Sequence, residues 1–368
     1  MQAQSGQFRK LLLAWYDAHA RDLPWRESCD PYRVWVSEIM LQQTRVAAVM
    51  AHYHEFLRRF PTVEKLASAR EASVLAAWSG LGYYRRARML NAAAKVVVRV
   101  REGKFPETGE DWRTLPGVGR YTAAAIASIA FDEPVAVVDG NVERVLQRFS
   151  GRRMAGEDLW LAADGLLDRE RPGDFNQAMM ELGATMCTPR APACLTCPVV
   201  ELCPTRGEMA GTAKAARQKK REIHYSLDFR DGEVFLVRRA RDARLMAGMW
   251  ELPEVAGGAG RSGKNQIPRF ARNDKTRGYE KHERDDKTRR NGKISDIPRT
   301  SDSRLWLTVR HSITVTDYTV RVWRMAAPTG VHGKWVAVDR LSRVALTGLA
   351  RKILRKAGIG VAGSRGQI

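Results

Sequence analysis

Apolar residues recur at helical spacing through the first 205 residues. Leu11, Leu12 and Trp15 make one such stripe, and Val142, Val145, Leu146 and Phe149 make another. Glycine and proline punctuate short connections at Phe60-Pro61-Thr62, Gly80-Leu81-Gly82, Leu115-Pro116-Gly117-Val118-Gly119 and Asp139-Gly140. Strand-like alternation is nearly absent there, so residues 1–205 are expected to form an all-α domain. A basic, alanine-rich connector follows at residues 206–222, and the texture then changes. Residues 226–238 read as strands around the turn Asp231-Gly232. Leu305-Trp306-Leu307-Thr308-Val309 and Tyr318 to Trp323 also read as strands. Residues 341–356 read as a closing helix, which makes residues 223–368 an expected α+β domain. Within it, residues 257–303 hold glycine, charge and few large apolar groups. Asn273-Asp274-Lys275-Thr276-Arg277 is nearly repeated there as Asp285-Asp286-Lys287-Thr288-Arg289. Such a segment buries too little apolar surface to offset its ordering entropy and is expected to be a disordered insert.

A chain of 368 residues favours two domains over one core. The hydrophobic share, 44%, is ordinary for a globular protein, but the formal net charge of +21 is not. That balance points to a polyanionic partner, most commonly nucleic acid. No run approaches the roughly 20 apolar residues that span a bilayer. The first ten residues also lack the apolar core of a secretory signal. A cytoplasmic protein is therefore expected, in a reducing compartment where the five cysteines are not a disulfide framework.

Four of those cysteines, Cys187, Cys194, Cys197 and Cys203, follow the spacing C-x6-C-x2-C-x5-C. Pro189, Pro192, Pro198 and Pro204 keep the segment in tight loops. Four thiolates converging in loops bind either zinc or an iron–sulfur cluster, and the spacing alone leaves both open. Cys29 stands apart as a bystander.

The stretch Leu115-Pro116-Gly117-Val118-Gly119-Arg120 lies between two helical patterns. Its alternating glycines allow a sharp turn, and N–H groups at the start of the following helix suit a phosphate oxygen. Twenty residues beyond Gly119 comes Asp139, after an apolar run and before a helix, which is also the place of a plain helix cap.

Hairpin, downstream aspartate and four-cysteine loop in this order resemble the helix–hairpin–helix DNA glycosylases that carry an iron–sulfur cluster. Within them the chain resembles the MutY-type adenine DNA glycosylases. The matching stretches are Leu23-Pro24-Trp25-Arg26, Ser37-Glu38-Ile39-Met40-Leu41-Gln42-Gln43-Thr44, Gly80-Leu81-Gly82-Tyr83-Tyr84, the hairpin, Asp139-Gly140-Asn141-Val142 and Asn176-Gln177-Ala178-Met179-Met180-Glu181-Leu182-Gly183. The resemblance implies a helix–hairpin–helix glycosylase domain with a 4Fe-4S cluster on Cys187, Cys194, Cys197 and Cys203. An α+β Nudix-like domain is implied after it, on the stretches Val234 to Arg239 and Gly248-Met249-Trp250-Glu251-Leu252-Pro253. No glutamate-rich Nudix catalytic box is present, so nucleotide hydrolysis is not expected.

The implied substrate is duplex DNA with adenine opposite 8-oxoguanine or guanine, handled by a monomer associated with a bacterial nucleoid. Glu38 matches the general acid that protonates the adenine ring, and Asp139 the carboxylate that stabilises an oxocarbenium-like cation, the two-carboxylate logic of glycoside cleavage. Tyr121 and Asn141 are expected to orient these groups. Trp25, Arg26 and Glu181 are expected to shape the base pocket. Gln42, Gln43 and Thr44 are expected at the duplex, with Gln43 as a wedge and Leu81 and Tyr83 on the other side. Gly117, Val118 and Gly119 are the expected phosphate contacts. Related endonuclease III enzymes place a lysine nucleophile just after the hairpin; Tyr121 stands there, so base removal without strand cleavage is expected. The family's lesion-sensing loop, often Phe-Ser-His, reads Ile313-Thr314-Val315 here, leaving the Thr314 hydroxyl and, behind it, His311 as candidate contacts. A thymine-mismatch glycosylase of the same superfamily and a noncatalytic DNA-damage binding protein are the alternative readings.

Overall fold

Four helices of the first half start at a side-chain cap. Asp30 caps α2 (Pro31–Leu41) by accepting from the Arg33 N–H, with Pro31 set at the first turn, where its missing N–H costs nothing. Thr62 caps α4 (Val63–Ser68) and Thr108 caps α7 (Gly109–Trp112) in the same way. The other helices of this region are α1 (Gln2–His19), α3 (Val46–Arg59), α5 (Glu71–Ala77), α6 (Arg85–Val100), α8 (Arg120–Phe131), α9 (Gly140–Ser150), α10 (Glu157–Leu166) and α11 (Pro172–Thr185). The computed structural model describes residues 2–209, 219–243, 245–255, 304–313 and 316–360. The expected insert at 257–303, Thr314 and Val315 lie outside the described residues.

The chain divides into two units, Met1–Lys214 and Ala215–Ile368. In the first, Ala123 to Ala127 make α8 a thin, fully buried rod against which α2, α7 and α11 pack. Phe8 and Leu12 of α1 meet Val142, Val145 and Leu146 of α9 and Phe175, Ala178 and Leu182 of α11 in one core. Small side chains on α8 let the neighbouring helices approach closely, which brings residues from α2, α8, α9 and α11 to one place.

The second unit holds two sheets. One runs β5–β1–β7–β6, built from β1 (Lys219–Leu227), β5 (Glu254–Val255), β6 (Arg304–Ile313) and β7 (Thr316–Arg324), with β1 and β7 parallel and the other pairs antiparallel. The other joins β2 (Phe229–Arg230), β3 (Glu233–Arg238), β4 (Trp250–Glu251) and β8 (Gly333–Ala337). Leu227, Val234, Leu236, Val309, Val320 and Val322 meet Ile353 and Leu354 of α12 (Gly348–Lys356) in its core.

Two boundaries differ from the sequence reading. Strand β1 starts at Lys219, inside the expected connector, because Lys219 to Glu222 pair with Thr316 to Thr319. The closing helix starts at Gly348 rather than 341. Residues 338–343 form a 3-10 turn, and backbone hydrogen bonds from Trp250 N–H to Ala345 and from Thr347 N–H to Trp250 hold the next segment extended. Thr347 then caps α12 through Ala350 N–H. No helix among the described residues is long and apolar enough to cross a membrane.

Candidate active site

Glu38 lies in the last turns of α2, only 5% exposed. The Tyr121 hydroxyl, from the first turn of α8, donates to its Oε2 at 2.8 Å and also lies 3.2 Å from Met180 Sδ. Burial pushes the Glu38 carboxyl up to about 7; the Tyr121 hydrogen bond opposes that, the nearby Asp139 charge adds to it, and Arg26 opposes it. Burial, with Glu38 and Asp139 close by, likewise drives the Tyr121 hydroxyl far above its ordinary range. Glu38 can thus hold a proton at neutral pH, as a general acid must.

Asp139 is the N-cap of α9. Its Oδ1 accepts from the Asn141 N–H (2.9 Å) and Val142 N–H (2.7 Å), and its Oδ2 from Asn141 Nδ2 (3.0 Å). Three N–H donors and the positive end of a helix suit an ionised carboxylate. The segment leading to it is fixed by buried Asn176, which accepts from Val137 N–H and donates to Ser128 Oγ and the Val135 carbonyl. Beyond Asp139, Arg144 donates to Asn141 Oδ1 (2.8 Å) and to the Gly183 and Cys187 carbonyls. One turn on, Arg148 reaches Cys187 Sγ and the Thr188 carbonyl. Asp139, Asn141, Arg144 and Arg148 therefore form one polar stripe from the carboxylate to the cysteine loop. Gly183 of α11 packs against its start: a Cβ there would lie 2.6 Å from Asn141 Cβ and 2.9 Å from its carbonyl oxygen.

Arg26 donates to Gln177 Oε1 and Glu181 Oε2 and lies over the Tyr16 ring. Glu181, almost fully buried, is clasped by both Arg21 and Arg26. Burial raises its carboxyl, but the two arginines outweigh that and hold it below the ordinary range. Both Glu181 oxygens are thereby taken, so Glu181 acts on any pocket through the arginines it anchors. Trp25 is buried edge-on against Tyr53, 5.5 Å between rings.

The expected DNA-facing residues divide. Gln43 and Tyr83 are exposed and carry left-handed backbone, φ 53° and 46°. Leu81 and Val118 are buried, 6% and 8% exposed, so their side chains belong to the core. Gln42 donates to Thr122 Oγ1 (3.0 Å), and Thr44 Oγ1 to the Gln42 carbonyl (3.2 Å). In the hairpin, Val118 N–H is not free: it closes the turn on the Leu115 carbonyl. Gly117 needs its lack of a side chain, with φ +77° and Met89 Cβ only 2.4 Å from where a Cβ would sit. Gly119, the N-cap of α8, has φ −92° and open space around it, so the protein itself does not demand a glycine there.

Sequence reasoning passed over Arg86, whose guanidinium spans the chain after α2 and the turn before α6. Burial pulls it down to about 10, still charged at neutral pH. Its signal was its helical spacing: Arg86 shares the stripe of Leu90, Ala93 and Val97 on the buried face of α6.

Cys187, Cys194, Cys197 and Cys203 are half-buried around a single cavity also lined by Val145, Arg148 and Val199. They ring a space rather than converge on one point: no three His, Cys, Asp or Glu side chains among the described residues are close enough to hold a single ion. In the second unit, His311 pairs with Tyr318 inside the β6–β7 ladder, and burial and Lys352 hold its imidazole below the ordinary range. Thr314, the expected lesion contact, falls outside the described residues.

Residues 36–157 match the HhH-GPD family, described as the HhH-GPD superfamily of base excision DNA repair proteins. The chain is 41% identical over 313 residues to the adenine DNA glycosylase of Rattus norvegicus, covering 67% of this chain and 60% of that one. To that of Homo sapiens it is 49% identical over 219 residues, 55% of this chain and 40% of that one, so the chain spans about half the length of these relatives. A solved thermostable thymine-DNA glycosylase, 30% identical, superposes with a TM-score of 0.52 over 55% of this chain and 97% of its own. The adenine DNA glycosylase of Schizosaccharomyces pombe is 34% identical over 324 residues, 69% of this chain and 70% of its own. With that coverage, and with both carboxylates of the matched motifs gathered at one site, the chain belongs to the adenine DNA glycosylase family.

Proposed function

We propose that the protein is a monofunctional adenine DNA glycosylase that acts on adenine opposite 8-oxoguanine or guanine in duplex DNA. The observation that carries this reading is the pairing of a water-excluded Glu38, hydrogen-bonded to Tyr121, with an Asp139 held by three N–H donors. A flipped adenine takes the Glu38 proton on its ring. The bond between C1′ and the base breaks with its electron pair leaving on adenine. The Asp139 carboxylate stabilises the cation left on the sugar, and water adds at C1′ as it gives a proton back to the Glu38 carboxylate, leaving an abasic site and free adenine. No amine stands at position 121 to form a Schiff base, so the strand stays intact.

Cys187, Cys194, Cys197 and Cys203 would hold a 4Fe-4S cluster: a four-iron group spreads its ligand sulfurs around a cavity, where a single ion would draw them together. The four cysteines would be tied together by thiolate bonds to such a group, which supplies no chemistry to the steps at C1′. Cys194→Ser should lose iron and sulfide on chemical assay. The second unit is read as Nudix-like, with Thr314 as its expected contact to the oxidised guanine.

The test is a duplex carrying adenine opposite 8-oxoguanine, incubated with the protein and analysed with and without hot alkali. Breakage of the adenine strand only after alkali supports the reading; intact strands in both lanes, from protein that binds the duplex, overturn it. The likeness to a thymine-DNA glycosylase over nearly its whole length favours one second reading, excision of mispaired thymine, and a thymine mismatch in the same assay separates the two.

A further inference from the structure

Two segments carry the side chains that the proposed reaction sends into the duplex, and they arise at opposite helix ends. Gln42-Gln43-Thr44 follows the C-terminus of α2, and Leu81-Gly82-Tyr83 precedes the N-terminus of α6. A single guanidinium joins them. Arg86 Nη1 donates to the carbonyls of Ile39 (2.7 Å), Met40 (2.9 Å) and Gln42. Its Nη2 donates to Thr44 Oγ1 (3.0 Å) and, more weakly, to the carbonyls of Leu81 and Gly82 (both 3.4 Å). The same group lies over the rings of Trp78 and Tyr83, at 5.5 and 5.4 Å.

Three features of this clasp go beyond capping. Its acceptors include α2 carbonyls that lack intrahelical donors, and Glu38 sits one residue before the first of them. It also takes the carbonyl immediately before the exposed left-handed residue of each segment, Gln42 before Gln43 and Gly82 before Tyr83. Left-handed backbone at a residue with a side chain is strained and persists only where the surroundings fix it. Finally, no carboxylate among the described residues pairs with Arg86. The half-buried charge is held by neutral acceptors and ring faces, a use that suits the rigid fork of arginine and not the single point of lysine.

We infer that Arg86 is a positioning residue that locks the Gln43 and Tyr83 segments into one edge and sets that edge against the helix carrying Glu38. Insertion into the duplex and delivery of the extruded adenine to its acid then share one geometry. The inference rests on the proposed adenine excision.

Arg86→Lys keeps the charge and loses the fork. Extrusion is read from the fluorescence of 2-aminopurine placed at the target position, and excision from single-turnover base release. The variant is expected to fold and bind duplex within a few-fold of the parent. Extrusion and excision at adenine opposite 8-oxoguanine should fall about 100-fold, the scale of an ångström-sized misplacement. The deficit should shrink several-fold when adenine faces an abasic analogue, where opening costs less. Parent-like extrusion, or an equal deficit on both duplexes, overturns the inference, because a general loss of structure makes no such distinction. Should Arg86→Lys not fold, Thr44→Val removes one acceptor alone; a smaller loss with the same substrate dependence supports the inference, and parent-like extrusion overturns it. If the parent extrudes the base and releases no adenine, the excision reading fails while the fluorescence still decides the role of Arg86.

Discussion

Near the end of α2, Glu38 has one hydrogen-bond donor among the described residues, the Tyr121 hydroxyl, and is almost fully buried. At the start of α9, Asp139 has three N–H donors and a helix terminus behind it. The same functional group thus holds its proton up to about pH 7 in one region and is supplied with donors for its anion in the other. In the proposed reaction, environment assigns the roles: a dry pocket makes an acid, and a helix N-terminus makes an electrostatic partner for a cation.

The largest test of that contrast removes one charge state at a time. Asp139→Asn keeps an oxygen for the α9 backbone N–H groups, and Glu38→Gln keeps the size of the side chain. Each should lower single-turnover adenine release by on the order of 10³-fold while mismatch affinity, read by fluorescence anisotropy, stays within a few-fold. Near-normal release by either variant would sink the two-carboxylate assignment. Glu38 also carries a stability signature. With its carboxyl near 7 in the folded protein against an ordinary 4.5, the folded chain holds the extra proton between those values. Stability should therefore fall as pH rises from about 4.5 to 7, and Glu38→Gln should flatten that part of the curve.

A smaller effect comes from moving one carboxylate without altering it. Gly183→Ala places a methyl 2.6 Å from Asn141 Cβ and against its backbone, so α11 and the first turn of α9 must part by several tenths of an ångström. Overpacking of this kind costs about 1–3 kcal/mol. Denaturant unfolding should show that loss, with adenine release reduced about tenfold by the shift of Asp139. Glu38, on α2, should keep its pH dependence, which separates the two regions. An unchanged midpoint of unfolding would show that the helices part freely there.

How far the sequence discloses this site depends on distance along the chain. The hairpin, Asp139 and the cysteine spacing are local patterns: the turn closes on the Leu115 carbonyl, Asp139 caps α9, and the four cysteines line one cavity without converging on a point. Glu38 is different: alone it is an ordinary helix glutamate, and its burial beneath Tyr121 comes from the packing of α8 on α2. Arg86, Arg144 and Arg148 are hidden among many arginines, because their acceptors are carbonyls brought near by folding. Leu81 and Val118 were assigned to DNA from the motifs they occupy, yet an apolar side chain in a tight turn turns inward when a core lies beneath it. In the second unit, Lys219 to Glu222 look like linker because all four are polar and exposed. Their strand state comes from parallel pairing with β7, which no local alternation records. The false start of α12 at 341 has the same origin, a backbone pairing with Trp250 that overrides apolar spacing.

The smallest expected effect isolates the Tyr121 hydroxyl, which donates to Glu38. Tyr121→Phe preserves the ring packed in the α8 core and deletes the hydroxyl 2.8 Å from Glu38 Oε2. That hydrogen bond pulls the Glu38 carboxyl down against burial, so its loss should carry the carboxyl above 7. In kcat/KM for adenine release, the parent should lose activity as pH rises through about 7, where the acid gives up its proton. The variant should keep activity to higher pH, with its descending limb displaced upward and a few-fold lower plateau from poorer orientation of the acid. A limb displaced downward would mean that the tyrosine serves the protonated form of Glu38, reversing the sense of the contrast with Asp139. An unmoved limb would assign that ionisation to another group.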